Sequence, residues 1–162
     1  MINLKSTNRK IDYLVVHCTA TREGQHITVE DIRRWHTKPK KQGGRGWSDI
    51  GYHYVIYLDG SIHEGRPVTR IGAHVKGFNK HSIGITYVGG VGENLAPKDT
   101  RTPQQKASLL WLLDELKCYY PGAKIWGHRD FSPDKNNNGI IEPFEWMKAC
   151  PSFDAKGEYS GL

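Results

Sequence analysis

The sequence predicts a mixed α/β domain in which helices pack on a central β-sheet. The β-branched run in "DYLVVHCTA" predicts a buried strand from about Tyr13 to Cys18. The segment "YHYVIYLDGSIHEG" alternates apolar and polar residues on either side of Asp59-Gly60, which is typical of a β-hairpin. The leucine-rich segment after Thr102 has helical spacing. Because strands and helices alternate along the chain, helices on a sheet would bury both kinds of apolar face.

The first helix is predicted within "VEDIRRWHTK", where Val29, Ile32 and Trp35 are spaced helically. Thr28 precedes this segment as a candidate N-cap, and Asp31 stands in the box-like position three residues later. The next segment, "KPKKQGGRGW", is predicted to be a loop, because its glycines and its proline disfavour both helix and strand.

The second half of the chain adds two strands and the strongest helix. "HSIGITYVGG" predicts a strand that a glycine pair ends, and "AKIWGH" predicts a further short strand. Between them, Thr102 caps a helix, Pro103 occupies its first turn, and Pro121-Gly122 ends it. The apolar stripe of this helix consists of Leu109, Leu112, Leu113 and Leu116. The tail after Phe153, residues 155–162, is small and polar, and we expect it to be loosely ordered.

The composition is that of one globular domain, residues 1–162, with 37% apolar and 25% charged residues. There is no internal repeat, no apolar run long enough to span a bilayer, and no visible signal peptide. The net charge of +6 suits nucleic acid, anionic lipid or an anionic cell-wall polymer equally well. Three cysteines are too few and too odd in number for a disulfide scaffold.

Three residues far apart in the chain could form a metal site. His17 ends the first predicted strand, His128 ends the last, and Cys150 follows in "KACPSFD". Strand ends meet along one rim of a sheet, so these side chains could converge there. Two imidazoles and a thiolate suit zinc, and three protein ligands leave a fourth position open, as in catalytic sites. Spacing alone does not establish this group.

A family resemblance supports the group. Together, six ordered motifs resemble the zinc-dependent N-acetylmuramoyl-L-alanine amidases of the bacteriophage T7 lysozyme type, relatives of peptidoglycan recognition proteins. In chain order they are "VVHCTAT", "IRRWHTK", "SDIGYHYVIYLDGSIHEGRP", "GAHVKGFNKHSIGITYVGG", "WGHRD" and "KACPSFD".

The resemblance implies a fold, a reaction and a set of residues. The implied fold is a mixed sheet flanked by helices, and the implied reaction cleaves the amide between N-acetylmuramic acid and L-alanine in peptidoglycan. The implied ligands of Zn²⁺ are His17, His128 and Cys150, and the implied catalytic residues are Tyr52 and Lys148. His74 matches a position that faces the substrate groove, and Lys76 and Asn79 lie close to it, so these three are the candidate substrate-binding residues.

The segment "DKNNNGIIEPFE", residues 134–145, matches the rule for a twelve-residue calcium loop and would be an insertion before the last zinc ligand. Glycine stands at position 6, and candidate Ca²⁺ ligands stand at positions 1, 3, 5, 7 and 12: Asp134, Asn136, Asn138, the carbonyl of Ile140, and Glu145. Two asparagines and the lack of a paired loop predict weak affinity. The alternative is an asparagine-rich turn that caps the short helix beginning at Pro143.

Two further function classes stay open at this point. A cysteine peptidase would use Cys150 or Cys18 with a histidine, and thiol alkylation rather than chelation would abolish its activity. A catalytically silent module would bind peptidoglycan without cleaving it. We expect peptidoglycan or a muropeptide as partner, no nucleic acid, no membrane insertion and a monomer. We also expect synthesis in the cytoplasm and action on the cell wall after release or secretion.

Overall fold

The computed structural model describes residue 2 and residues 4–162 of the chain. Within these residues the strands are β1 (Tyr13–Cys18), β2 (Thr21–Arg22), β3 (Tyr54–Ile56), β4 (Ile62–Glu64), β5 (Ser82–Tyr87), β6 (Gly90–Val91) and β7 (Lys124–Gly127). The α-helices are α1 (Val29–Thr37), α2 (Pro103–Tyr119) and α3 (Ala155–Glu158). Short 3-10 turns lie at Lys40–Gln42, Asn79–His81, His128–Phe131 and Pro143–Glu145. Within the described residues, none of the helices has the length and apolar character that crossing a membrane requires.

Five strands form the central sheet in the order β4-β3-β5-β1-β7. β1 runs parallel to both of its neighbours, β3 is parallel to β5, and β4 is antiparallel to β3 as the hairpin pattern predicts. β2 and β6 form a separate two-stranded parallel sheet. The predicted mixed α/β architecture is confirmed. Because β1 and β7 are parallel neighbours, their carboxyl ends lie at the same edge of the sheet.

The two faces of the sheet pack against different helices. On one face, alternate residues of β1 such as Leu14 and Val16 join the leucine stripe of α2 in the larger apolar cluster. The predicted cap Thr102 is present and forms a capping box with Gln105, since Thr102 Oγ1 accepts from Gln105 N and Gln105 Oε1 accepts from Thr102 N. On the other face, Val55 packs in a second cluster with Ile32 of α1. The side chain of His17 points to this second face, because it alternates with those of Val16 and Cys18.

The buried face of α1 differs from the predicted one. The capping box of Thr28 and Asp31 is present, but Trp35 is 43% exposed and His36 is buried in its place. His36 Nδ1 accepts a hydrogen bond from Gly51 N at 3.0 Å, so a polar contact fixes which residue of the last turn faces inward. The apolar spacing did not reveal that contact.

The end of the chain is ordered, contrary to the expectation of a loose tail. Ala155 and Tyr159 are buried in the larger apolar cluster. The buried guanidinium of Arg101 donates to Glu158 at 2.8 Å and to the Tyr159 hydroxyl at 3.0 Å. The tail therefore continues the domain, because two of its few apolar side chains complete the core and an ion pair fixes the helix between them.

Candidate metal centre and cleft

His17, His128 and Cys150 lie together at the edge where β1 and β7 end. One ligand atom from each lies within 4.8 Å of the others, and these three form the one such group of histidine, cysteine or acidic residues found in the described chain. Nδ1 of His17 is 3.7 Å from the Cys150 sulfur, and the two imidazole rings have centroids 4.8 Å apart. The predicted convergence of the three side chains is therefore present in the structure.

Backbone contacts hold the cysteine against the strand ends. The amide of Cys18 donates to the Cys150 sulfur at 3.3 Å, and the amide of Arg129 donates to the Cys150 carbonyl at 2.8 Å. The hydroxyl of Tyr87, in β5, donates to the carbonyl of Pro151 at 2.6 Å. The final segment is thus attached to β1, to β5 and to the turn that carries His128.

Burial controls the protonation of these groups. It lowers the pKa of His17 well below its ordinary value, with smaller contributions from His74 and His128, and it lowers the pKa of His128 to about 4. Both imidazoles are therefore neutral near pH 7, and each offers a lone pair. Burial also raises the pKa of the Cys150 thiol, so a thiolate there needs a cation beside it. Two neutral imidazoles and a thiol that ionises only next to a cation fit a zinc ion.

Tyr52 and Lys148, from two other segments, line the same cleft as two residues of the ligand cluster. The Tyr52 ring lies 5.1 Å from that of His17 between centroids, and burial is the main cause that raises its pKa. Its hydroxyl is therefore protonated and available as a donor. Lys148 is exposed, and its charge contributes to lowering the pKa of both His17 and His128. Its ammonium group is therefore electrostatically coupled to the ligand cluster.

These residues open into one cleft of about 500 Å³. The predicted ligands His128 and Cys150 line it. Residues from other segments also line it, including Arg45, Trp47, Tyr52, Lys76 and Lys148. No aspartate or glutamate lines it. None of its three cations, Arg45, Lys76 and Lys148, makes an ion pair within the part of the chain that the structure describes. The cleft is therefore positively charged.

The candidate substrate-binding residues His74, Lys76 and Asn79 all line the cleft, but two of them also make internal contacts. His74 Nδ1 lies 2.9 Å from His17 Nε2. Asn79 Oδ1 accepts from the amides of His74 and Val75, at 2.8 and 2.9 Å. The family resemblance indicated His74 only as a substrate-binding candidate and did not identify it as a partner of His17.

The calcium-loop segment forms a tight turn whose carboxylates accept from its own backbone. Both oxygens of the buried Glu145 accept backbone N–H groups, from Lys135 at 2.6 Å and from Glu142 at 2.8 Å. Asp134 accepts from Gly139 at 2.7 Å. The short turn Pro143–Glu145 begins with a reciprocal contact between Glu142 and Glu145, which agrees with the capping alternative.

Comparisons with known proteins agree over most of the chain. The sequence profile of a family described as N-acetylmuramoyl-L-alanine amidase matches residues 7–152. An endolysin of Klebsiella phage KP32 is 38% identical over 157 residues, covering 96% of this chain and 91% of that protein. An endolysin of Escherichia phage T7 is 38% identical over 145 residues, covering 90% and 83%. The solved structure of the N-acetylmuramoyl-L-alanine amidase LysC from Clostridium intestinale is similar, with a TM-score of 0.67, 30% identity, and coverage of 94% and 83%.

Proposed function

The chain belongs to the N-acetylmuramoyl-L-alanine amidase family, of the T7 lysozyme type, and on that premise we propose that it cleaves peptidoglycan with a zinc ion held by His17, His128 and Cys150. The bond cleaved is the amide between N-acetylmuramic acid and the L-alanine of the stem peptide. The observation that carries this proposal is the meeting of three ligand atoms, within 4.8 Å of one another, beside a cleft.

The donor set supports zinc. Two imidazole nitrogens and one sulfur are ligands that zinc prefers, and three protein ligands leave a position for the reaction. A zinc ion held there would act as a Lewis acid and would lower the pKa of a bound water to about 7. The roles of the protein are to keep both histidines neutral, to hold the sulfur against β1, and to open the site to the cleft on one side.

Lys148 and Tyr52 supply the remaining groups that amide hydrolysis needs. Lys148 lines the cleft beside His128 and Cys150, so its positive charge can stabilise the negative oxygen that forms when the carbonyl carbon becomes tetrahedral. Tyr52 keeps its proton, because burial raises its pKa, so its hydroxyl can orient the attacking water or assist proton transfer.

The charge of the cleft supports a muropeptide as substrate. Stem peptides carry carboxylates, and the cleft presents three cations without ion-pair partners and no acidic side chain. The proposed contacts for the peptide are Lys76, His74 and Asn79, which all line the cleft. The enzyme acts on the cell wall as a monomer, after release or secretion from the cytoplasm, and requires neither nucleic acid nor insertion into a membrane.

Metal analysis followed by muropeptide digestion tests this proposal. The purified protein is expected to hold one zinc ion and to release peptides that begin with L-alanine, and chelation followed by dialysis is expected to abolish the release. Full activity in protein shown to be free of zinc would refute the mechanism. A catalytically silent binding module would retain muropeptide in a binding assay and release no peptide with or without zinc.

A second metal is proposed for the insertion. The spacing of Asp134, Asn136, Asn138, Ile140 and Glu145 supports weak calcium binding, which would fix the segment that precedes Lys148. Calorimetric titration of the zinc-loaded protein with calcium tests it, with Asp134→Asn as the variant that lowers the affinity. No heat of binding at millimolar calcium would leave the segment as a capped turn.

A further inference from the structure

A chain of three side chains leads from the ligand cluster into the interior. His17 Nε2 lies 2.9 Å from His74 Nδ1, and His74 Nε2 lies 3.2 Å from Ser82 Oγ. All three side chains are buried, and the two imidazole rings are nearly perpendicular, at 88°. The chain begins at Nε2 of His17, whereas Nδ1 of the same ring faces Cys150, and His74 also lines the cleft.

The backbone around His74 fits its ring closely. A Cβ atom on Gly84 would lie 2.5 Å from Cγ of His74, and a Cβ on Gly72 would lie 2.7 Å from its Cδ2. Real side chains do not make such contacts, so only glycine at these two positions leaves room for the imidazole. Asn79 fixes the backbone at His74, because its Oδ1 accepts from the amides of His74 and Val75. The ring is therefore held in one place and one plane.

Hydrogen-bond chemistry fixes the direction of the chain. Nδ1 of His17 faces the Cys150 sulfur, so its lone pair is the one directed to a metal and its proton must be on Nε2. Nε2–H then donates to Nδ1 of His74, which places the proton of His74 on its own Nε2, from where it donates to Ser82 Oγ. With Nδ1 of His17 directed to the metal, this order gives each nitrogen one role and satisfies every contact.

We infer that His74 is a positioning residue that fixes the tautomer and the ring orientation of His17, and that Ser82 does the same for His74. This inference rests on the proposed zinc site. Partners of this kind typically change metal affinity by about 10- to 100-fold when they are removed. His74 acts through His17, and its role does not require contact with the substrate.

Zinc affinity and the absorption spectrum of the cobalt-substituted protein test the inference. His74→Leu removes the acceptor, whereas His74→Asn keeps an oxygen close to the position of Nδ1. His74→Leu is expected to weaken zinc binding by about 10- to 100-fold in chelator competition and to shift the cobalt spectrum. The zinc affinity of His74→Asn is expected to remain within a few fold of that of the wild type.

Gln105→Leu is the matched control, because Gln105 is also buried and hydrogen-bonded but lies on α2 and makes no hydrogen bond to His17 or His74. It is expected to lower the melting temperature without weakening zinc binding. Wild-type zinc affinity in His74→Leu would overturn the inference, and so would equal losses in His74→Leu and His74→Asn. A wild-type protein that binds no zinc would instead refute the proposed function, so the two failures are distinguishable.

Discussion

The sulfur of Cys150 lies 3.7 Å from Nδ1 of His17, although the two residues are 133 positions apart in the chain. The amide of Cys18, the residue next to His17, donates to the same sulfur. The contact is thus held by the backbone at the end of a central strand. Ligands held in this way need little rearrangement to bind an ion.

Replacing Cys150 with serine is expected to remove zinc and activity together. A hydroxyl is a much poorer zinc ligand than a thiolate. Zinc affinity should fall at least about 100-fold, more than for loss of a residue that only supports a ligand. The matched control is Cys118→Ser, because Cys118 is an exposed thiol on α2. Loss of activity in the control, or zinc bound normally by Cys150→Ser, would contradict the proposed ligand set.

Replacing Lys148 with alanine is expected to lower kcat while zinc stays bound. Removing one group that stabilises an oxyanion typically costs about 100- to 1,000-fold in kcat. Lys135→Ala is the control, because Lys135 is also an exposed lysine, within the insertion 134–145, but does not line the cleft. Single-turnover hydrolysis and metal analysis of both variants provide the measurement. If the two variants lose activity equally, the loss comes from general surface charge, and the proposed role of Lys148 is wrong.

The sequence pattern predicted the main strands of the central sheet, and the family resemblance supported the three residues that meet at its edge. Strand ends can be recognised locally, because β-branched runs stop at polar residues, and the parallel pairing of β1 and β7 then brings His17 and His128 together. Cys150 follows no strand, and its place was predicted through the family resemblance alone. Its position depends on contacts from Cys18 and Arg129, which no local pattern reveals.

The features that sequence reasoning missed all depend on contacts between distant segments. The pairing of His74 with His17 spans 57 positions, and only the fold brings the two rings together. Trp35 satisfies the helical spacing of α1, yet His36 is buried because Gly51 supplies a hydrogen bond. The tail is polar on average, but Ala155 and Tyr159 are buried and anchor it to the core. Average composition does not show such single contacts.

Replacing Arg45 with glutamine is expected to raise KM for a carboxylate-bearing muropeptide. The guanidinium lies 5.1 Å from the ring centroid of Trp47 in the cleft wall and makes no ion pair with any described residue, so it is free to attract an anion. An exposed charge pair of this kind changes affinity by up to about fivefold, and the change should shrink at about 0.5 M salt. KM measured at low and high salt checks both points.

The control for that variant is Lys41→Gln, because Lys41 is an exposed cation of the same loop that does not line the cleft. It is expected to leave KM unchanged at both salt concentrations. An increase in KM for Arg45→Gln that persists at high salt would indicate lost packing on Trp47 instead of lost charge.

Replacing His53 with asparagine is expected to make the free energy of unfolding less dependent on pH below about 6.5. Burial is the main cause that lowers the pKa of His53 to about 4, whereas an unfolded histidine titrates near 6.5. As the pH falls from about 6.5 towards 4, the unfolded chain takes up the proton first, so the stability that is present above 6.5 is progressively lost, by up to about 3 kcal/mol. His53→Asn keeps an acceptor for the Gly84 amide but cannot titrate, so its free energy of unfolding should fall less over this range. Urea unfolding of both proteins at several pH values measures the difference. The contributions of the other histidines cancel, because both proteins contain them. Parallel profiles for the two proteins would show that His53 is protonated equally in the folded and unfolded states.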